Sequence, residues 1–126
     1  MKNIADIRKE YTKGALEPKN MGDNPLVEFR GWFQQALDAQ VLEPNAMVLG
    51  TTDGQRPSSR TVLLKAFDRR GFVFFTNYDS AKGQDLAAKP RACLLMFWAE
   101  LERQVRVTGS VTRTTREESE DRKSVV

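Results

Sequence analysis

From Ala46 to Arg113 the apolar residues alternate with polar ones in five short runs, separated by turn-forming residues. The runs are "AMVLGTT", "SSRTVLLKAF", "FVFFTN", "RACLLMFW" and "RQVRVTGSVTR". A period of two marks strands that bury one face, and the aromatic and β-branched content agrees with that assignment. Two of the connections are brief: "DGQRP" carries an Asp-Gly turn signal, and "DRRG" turns the chain again. Short strands joined this tightly pair mainly antiparallel, which favours a small barrel or sandwich. The expected fold is mainly β with flanking helices.

The helical signals lie around these runs. In "DNPLVEFRGWFQQALDA", Asn24 suits an N-cap and Pro25 the first helical position. Leu26, Phe29, Phe33 and Leu37 follow at helical spacing, which predicts an amphipathic helix packed on the sheet. A shorter helix is expected in "IADIRKEY", and another in "DSAKGQDLAAKP", capped by Ser80 or Asp79 and ended before Pro90. Thr115 and Glu118 form a capping box, but "SEDRKSVV" offers no apolar stripe to dock a helix, and one so short is marginal in water. The chain divides into an N-terminal arm (1–22), a barrel domain (23–114) and a helix start with a tail (115–126).

Composition removes several chemistries. The 126 residues suit one domain. There is no histidine, hence no Ser-His or Cys-His nucleophile system and none of the commonest metal ligand. One cysteine allows neither an intrachain disulfide nor a thiolate zinc site, and Cys93, inside an apolar run, is expected to be a buried, inert thiol. The net charge of +3 comes from 20 basic and 17 acidic residues scattered among one another, with no aromatic platform, so nucleic acid is not an expected partner. No apolar run approaches the roughly 20 residues that span a bilayer, and "MKNIADIRKEYTKG" lacks a signal-peptide core, so the cytoplasm is the expected location and a membrane is not. Demanding chemistry on such a chain falls to a cofactor.

Arg60 and Lys65 flank the run "TVLL". On a regular strand Arg60, Val62 and Leu64 share one face while Thr61, Leu63 and Lys65 share the other. The two cations are then either solvated strand ends or contacts for two parts of an extended ligand or for two ligands side by side, and only a bend or bulge would let them meet. Downstream, "FTNYDSAKG" opens a helix near Ser80 with Lys82 in its first turn, an arrangement suited to phosphate. Gln104, in "LERQVRV", offers a neutral amide to a planar heterocycle.

Taken together, "IRKEYTKGAL", "NAMVLGTTDGQRPSSRTVLLKAFDRRGFVFFTN", "SAKGQDLAAKPRACLLMFW" and "LERQVRVTGSV" resemble the pyridoxamine 5'-phosphate oxidase family, almost continuously from Ile7 to Thr114. The resemblance implies an FMN-binding split β-barrel, assembled as a homodimer with FMN at the interface and incomplete here at its C-terminal end. It implies FMN contacts from Arg60, Thr61, Val62, Leu63, Leu64 and Lys65, from Phe75 and Thr76, from Ser80 and Lys82 at the phosphate, and from Gln104 at the flavin ring. Lys65 is expected to touch the substrate phosphate as well. Arg8, Lys9, Glu10 and Tyr11 match a substrate-proximal stretch. The implied reaction oxidises pyridoxamine 5'-phosphate or pyridoxine 5'-phosphate to pyridoxal 5'-phosphate with O2 as electron acceptor, and no residue is assigned an acid–base or metal role.

Two departures from the family pattern stand out. Ala81 replaces an arginine between Ser80 and Lys82, and losing a charge-assisted bond worth roughly 1.5–3 kcal/mol corresponds to about one to two decades in FMN affinity. The family pattern also continues beyond residue 126, with further phosphate-, flavin- and substrate-contacting residues that "DRKSVV" does not match. The alternatives to a working oxidase are therefore a flavin-binding module without turnover and an inactive fragment of the enzyme.

Overall fold

The computed structural model describes residues 3–7, 24–75, 89–113 and 123–125. The chain enters through a single 3-10 turn, Ile4–Asp6, where the Asn3 side chain accepts from the Ala5 N–H at 3.2 Å. Of the helix expected in "IADIRKEY", only residues 4–7 lie within the described residues. Helix α1 follows at Pro25–Asp38, and Asn24 caps it by accepting from the Leu26 N–H at 3.0 Å, as its residue type predicts.

The described residues beyond it hold seven strands, β1 (Ala46–Thr52), β2 (Pro57–Asp68), β3 (Gly71–Phe75), β4 (Arg91–Trp98), β5 (Arg103–Ser110), β6 (Thr112–Arg113) and β7 (Lys123–Val125), with a 3-10 turn at Ala99–Leu101. They form one sheet in the order β5-β4-β1-β2-β3-β7-β6, with every recorded pairing antiparallel. That order forces a curl. Laid flat, strands at opposite ends of seven would lie about 29 Å apart at the usual spacing, yet only Val111 separates β5 from β6. The sheet wraps around until its two ends meet at that residue, which is buried and donates its N–H to the Pro90 carbonyl at 2.8 Å. The sequence reads "RQVRVTGSVTR" as one strand; the curl divides it in two.

The concave side holds the core. Met47, Leu49, Val62, Leu64, Phe74, Leu94, Met96 and Trp98 point inward from alternate positions of β1–β4. Helix α1 closes this side through Phe29, whose ring meets Phe67 edge-on at 4.8 Å and Phe72 at 5.0 Å. Trp98 is 1% exposed, and its indole N–H donates to the Pro44 carbonyl at 2.9 Å, which ties the end of β4 to the loop behind α1. The helix buries Ala36 rather than the expected Leu37, which is 47% exposed. Seven residues bring a helix back to within about 20° of its starting meridian and eight do not, so Ala36 lies under Phe29. The strand period likewise corrects Cys93. With Ala92 and Leu94 facing inward, Cys93 faces outward and is half-buried rather than buried.

Asp residues hold the β1–β2 and β2–β3 turns. The Asp53 carboxylate accepts from the Arg56 and Gln55 N–H groups, each at 2.8 Å, and Gly54 there adopts φ 102°, a conformation that favours glycine. Asp68 accepts from the Arg70 guanidinium and N–H. These bonds favour the charged form, so both carboxyls titrate below their ordinary range. A depressed folded-state value means that the turns are fully held above about pH 4 and loosen only as the pH falls through that lower value. An NMR titration should show the Gln55, Arg56 and Arg70 amide shifts moving below pH 4. Midpoints at or above the ordinary carboxylate value would contradict the bonding. Phe29→Ala should cost about 3–5 kcal/mol in urea denaturation, because the vacated volume is ringed by aromatics that cannot collapse into it.

Candidate functional site

The concave side is filled mainly with apolar side chains, so the chemistry-bearing groups lie on the convex side or, like Arg60, at the exposed end of an inward-facing row. Strand β2 supplies most of them. Its first half pairs with β1, from Thr52↔Pro57 to Ala46↔Leu63, and its second half pairs with β3. The Leu64 N–H extends the first ladder by donating to the Asn45 carbonyl at 2.8 Å. On the β3 side the register runs Leu64↔Phe74 and then Ala66↔Val73, so Lys65 is an extra residue with no Cα partner. It is the bulged position of β2. Before it, Val62 and Leu64 are the buried positions; after it, the inward position is Phe67, so the strand changes phase by one residue.

Arg60 and Lys65 therefore remain on opposite faces of β2, both exposed. Five residues of strand separate them by about 16 Å, too far to share one small anion. Lys65 keeps the outward phase of Thr61 and Leu63, and its ammonium lies 4.8 Å from the centroid of the Phe75 ring. Arg60 pairs in register with Leu49 and makes no salt bridge among the described residues. Val62 and Leu64 are in the core, so any ligand contact from them comes through their backbone.

Gln104 is exposed on β5, where it faces Phe97 across the β4–β5 ladder. The convex rows can be read from the registers. Thr61 faces Val48, Val48 faces Leu95, and Leu95 faces Arg106. Two residues along, Leu63 faces Ala46 and Phe97 faces Gln104. Val48, Leu63, Phe75 and Phe97 are between 38% and 55% exposed, an apolar surface edged by the Gln104 amide on one side and the Lys65 cation on the other. Such a surface can take a flat ring system with a polar rim and an anionic substituent. An open depression of about 600 Å³ lies at the adjoining ends of β1, β2 and β4, lined by Gly50, Ser59, Cys93 and Thr108 from the convex phase and by Thr51, Ser58 and Ala92 from the other. It adjoins Arg60 through Ser59 and includes neither Lys65 nor Gln104.

Thr76, Ser80 and Lys82, the helix expected around them, and Arg8, Lys9, Glu10 and Tyr11 lie outside the described residues, as does the Thr115–Glu118 capping box. The "DRKSVV" end does contribute to the sheet: β7 pairs with β3 at Val73↔Val125, Phe74↔Ser124 and Phe75↔Lys123. Phe97 was not among the sequence candidates. Its signal was the alternation of "RACLLMFW", which sends Ala92, Leu94, Met96 and Trp98 inward and leaves Phe97 outside.

A curled antiparallel sheet plugged by a helix, with its polar groups on the convex side, is the architecture of the FMN-binding split barrels. A solved pyridoxamine 5'-phosphate oxidase-related, FMN-binding protein from Nostoc punctiforme superposes with a TM-score of 0.61 at 22% identity, over 79% of this chain and 55% of its own. PhzG from Burkholderia lata, solved with tetrahydrophenazine-1-carboxylic acid, superposes with a TM-score of 0.78 at 30% identity, over 83% of this chain and 54% of its own. The sequence model of the family described as pyridoxamine 5'-phosphate oxidase matches residues 33–125. The chain belongs to that family. Pyridoxine/pyridoxamine 5'-phosphate oxidases from Paraburkholderia phymatum and Gloeothece citriformis are 54% and 57% identical over 121 and 119 residues. The match takes in 95% and 94% of this chain, which spans 57% and 56% of the length of those relatives.

The inside–outside division of β4 can be checked directly. Met96→Ala should cost the folded protomer about 2–5 kcal/mol, whereas Phe97→Ser should cost it no more than about 0.5 kcal/mol, both read from urea denaturation at concentrations where the chain is monomeric. Equal costs would contradict the alternation.

Proposed function

We propose that the protein is a cytoplasmic, FMN-dependent oxidoreductase that converts pyridoxamine 5'-phosphate or pyridoxine 5'-phosphate to pyridoxal 5'-phosphate with O2 as electron acceptor. The observation that carries this reading is the bulge at Lys65. It sets a cation at the edge of an apolar convex surface that has an amide, Gln104, on its far side. Family membership and the names of the relatives supply the chemistry. FMN, when bound, supplies the hydride acceptor and the route for electrons to O2. In this reading Leu63 and Phe75 floor the ring, Gln104, three strands from Leu63, reaches the polar rim of a cofactor shared across the dimer seam, and Arg60 meets the cofactor phosphate from the other face of β2, about 16 Å along the strand from Lys65. Ser80 and Lys82 join Arg60 there, and Thr76 follows Phe75 at the flavin. Lys65 holds the substrate phosphate by a charge-assisted bond and so aligns the reacting carbon with the flavin, while Arg8–Tyr11 border the substrate.

The same convex surface supports a homodimer. Four large apolar side chains exposed on one face of a sheet are what a second subunit covers, and a cofactor at that seam gains two walls instead of one.

An FMN titration of the chain, followed by size-exclusion chromatography, tests the reading. One FMN per chain on a stable dimer is expected, with pyridoxal 5'-phosphate and hydrogen peroxide formed on adding pyridoxamine 5'-phosphate in air. Flavin retention without product would point instead to a binding module, and no retention would refute the FMN assignment. Arg60→Ala should loosen FMN by about 10-fold or more, and Lys65→Ala should raise the apparent KM for the phosphorylated substrate by a similar factor. Full flavin occupancy after dialysis of the first variant, or an unchanged KM in the second, would remove those roles.

A further inference from the structure

We propose that Phe75 is a positioning residue that acts through Lys65: its ring holds the ammonium over the convex face, so that the cation is aimed before a phosphorylated ligand arrives. The ligand part of this inference rests on the functional reading above.

The bulge makes such an anchor necessary. Lys65 has no partner across β3, and the β1 ladder ends at the Asn45–Leu64 bond. Regular pairing therefore does not fix where its side chain points. A lysine has a flexible four-carbon stem, so an unanchored one would sweep a wide arc and lose that freedom on binding. Among the described residues one recorded contact restrains it, the Phe75 ring, with the ammonium 4.8 Å from the centroid. This is within the roughly 6 Å at which a ring quadrupole attracts a cation.

The kind of anchor matters. Among the described residues Lys65 makes no salt bridge. A carboxylate would fix the ammonium more firmly, but it would neutralise it and compete with an incoming anion. An aromatic ring orients the cation and leaves its charge available. Phe75 is also the last residue of β3, with a half-exposed ring on the same face as Leu63. Substituting it therefore removes little from the core, where the neighbouring Phe74 is fully buried.

The test is an NMR comparison of the 126-residue chain with its Phe75→Leu and Phe75→Tyr variants, the Lys65 signal being assigned from Lys65→Arg. The Lys65 ε-methylene protons should be shifted upfield by the ring current in the parent chain and in Phe75→Tyr. In Phe75→Leu they should return to the free-lysine position, with the Val62 and Leu64 methyl shifts unchanged as the control for folding. Titrated with pyridoxine 5'-phosphate, Phe75→Leu should bind about two- to fivefold more weakly, Phe75→Tyr should recover the affinity, and unphosphorylated pyridoxine should not distinguish the three. A free-lysine shift in the parent chain overturns the positioning role whatever binds, and equal phosphate affinity in Phe75→Leu overturns its link to the ligand. If the parent chain binds neither compound, the functional reading fails; a ring-current shift that vanishes in Phe75→Leu then still upholds the anchoring of Lys65.

Discussion

Strand β2 has to pair with two neighbours whose registers differ by one residue, and the organisation of the sheet depends on how that difference is absorbed. Its first half follows β1 and its second half follows β3. The extra residue is taken up at Lys65, where the inward phase passes from Val62 and Leu64 to Phe67. That change lets the β2–β3 hairpin present Phe67 and Phe72 to Phe29 of α1. A β-bulge also bends its strand and increases the local twist, and a sheet that must bring β5 and β6 within one residue of each other needs both. One irregularity thus helps to curl the sheet, seats the helix and frees a cation.

The curl also determines where function can reside. Apolar side chains from four strands and a helix fill the concave side, and a charged group there would have to be desolvated without a partner. The convex side carries Arg106, Gln104, Thr61 and Lys65 among exposed apolar residues. With no histidine in the chain, these side chains are suited to binding and orienting rather than to transferring protons, which is the share of the work that the proposed flavin would leave to its protein.

Much of this was legible in the sequence, for reasons that can be located. The period of two gave β1 and β4 their observed limits, because the "AMVLGTT" and "RACLLMFW" runs each bury one face along their full length. The cap at Asn24 followed from residue type alone. What a single strand's pattern cannot encode is its relation to distant strands. The Lys65 bulge exists only relative to β3, and the break at Val111 only relative to the two ends of the sheet. Leu37 and Cys93 were misplaced for a simpler reason: hydrophobicity was read as burial, whereas the helical meridian and the strand phase decide it. The part of the site expected from family resemblance, Arg60 to Lys65 with Phe75 and Gln104, depended on motif similarity. The convex apolar floor that joins those residues, Phe97 included, emerged only from the registers.

The central claim is that the convex face, from Gln104 to Lys65, holds the flavin. Intermolecular NOEs between FMN and the isotope-labelled chain test it most directly. The account predicts contacts from the isoalloxazine ring to the Leu63 methyls and the Phe75 ring, with the Gln104 side-chain amide reached across the dimer seam, and none to Met47, Leu94 or Met96. Contacts confined to the depression around Gly50 and Cys93, with none at Leu63, Phe75 or Gln104, would contradict it.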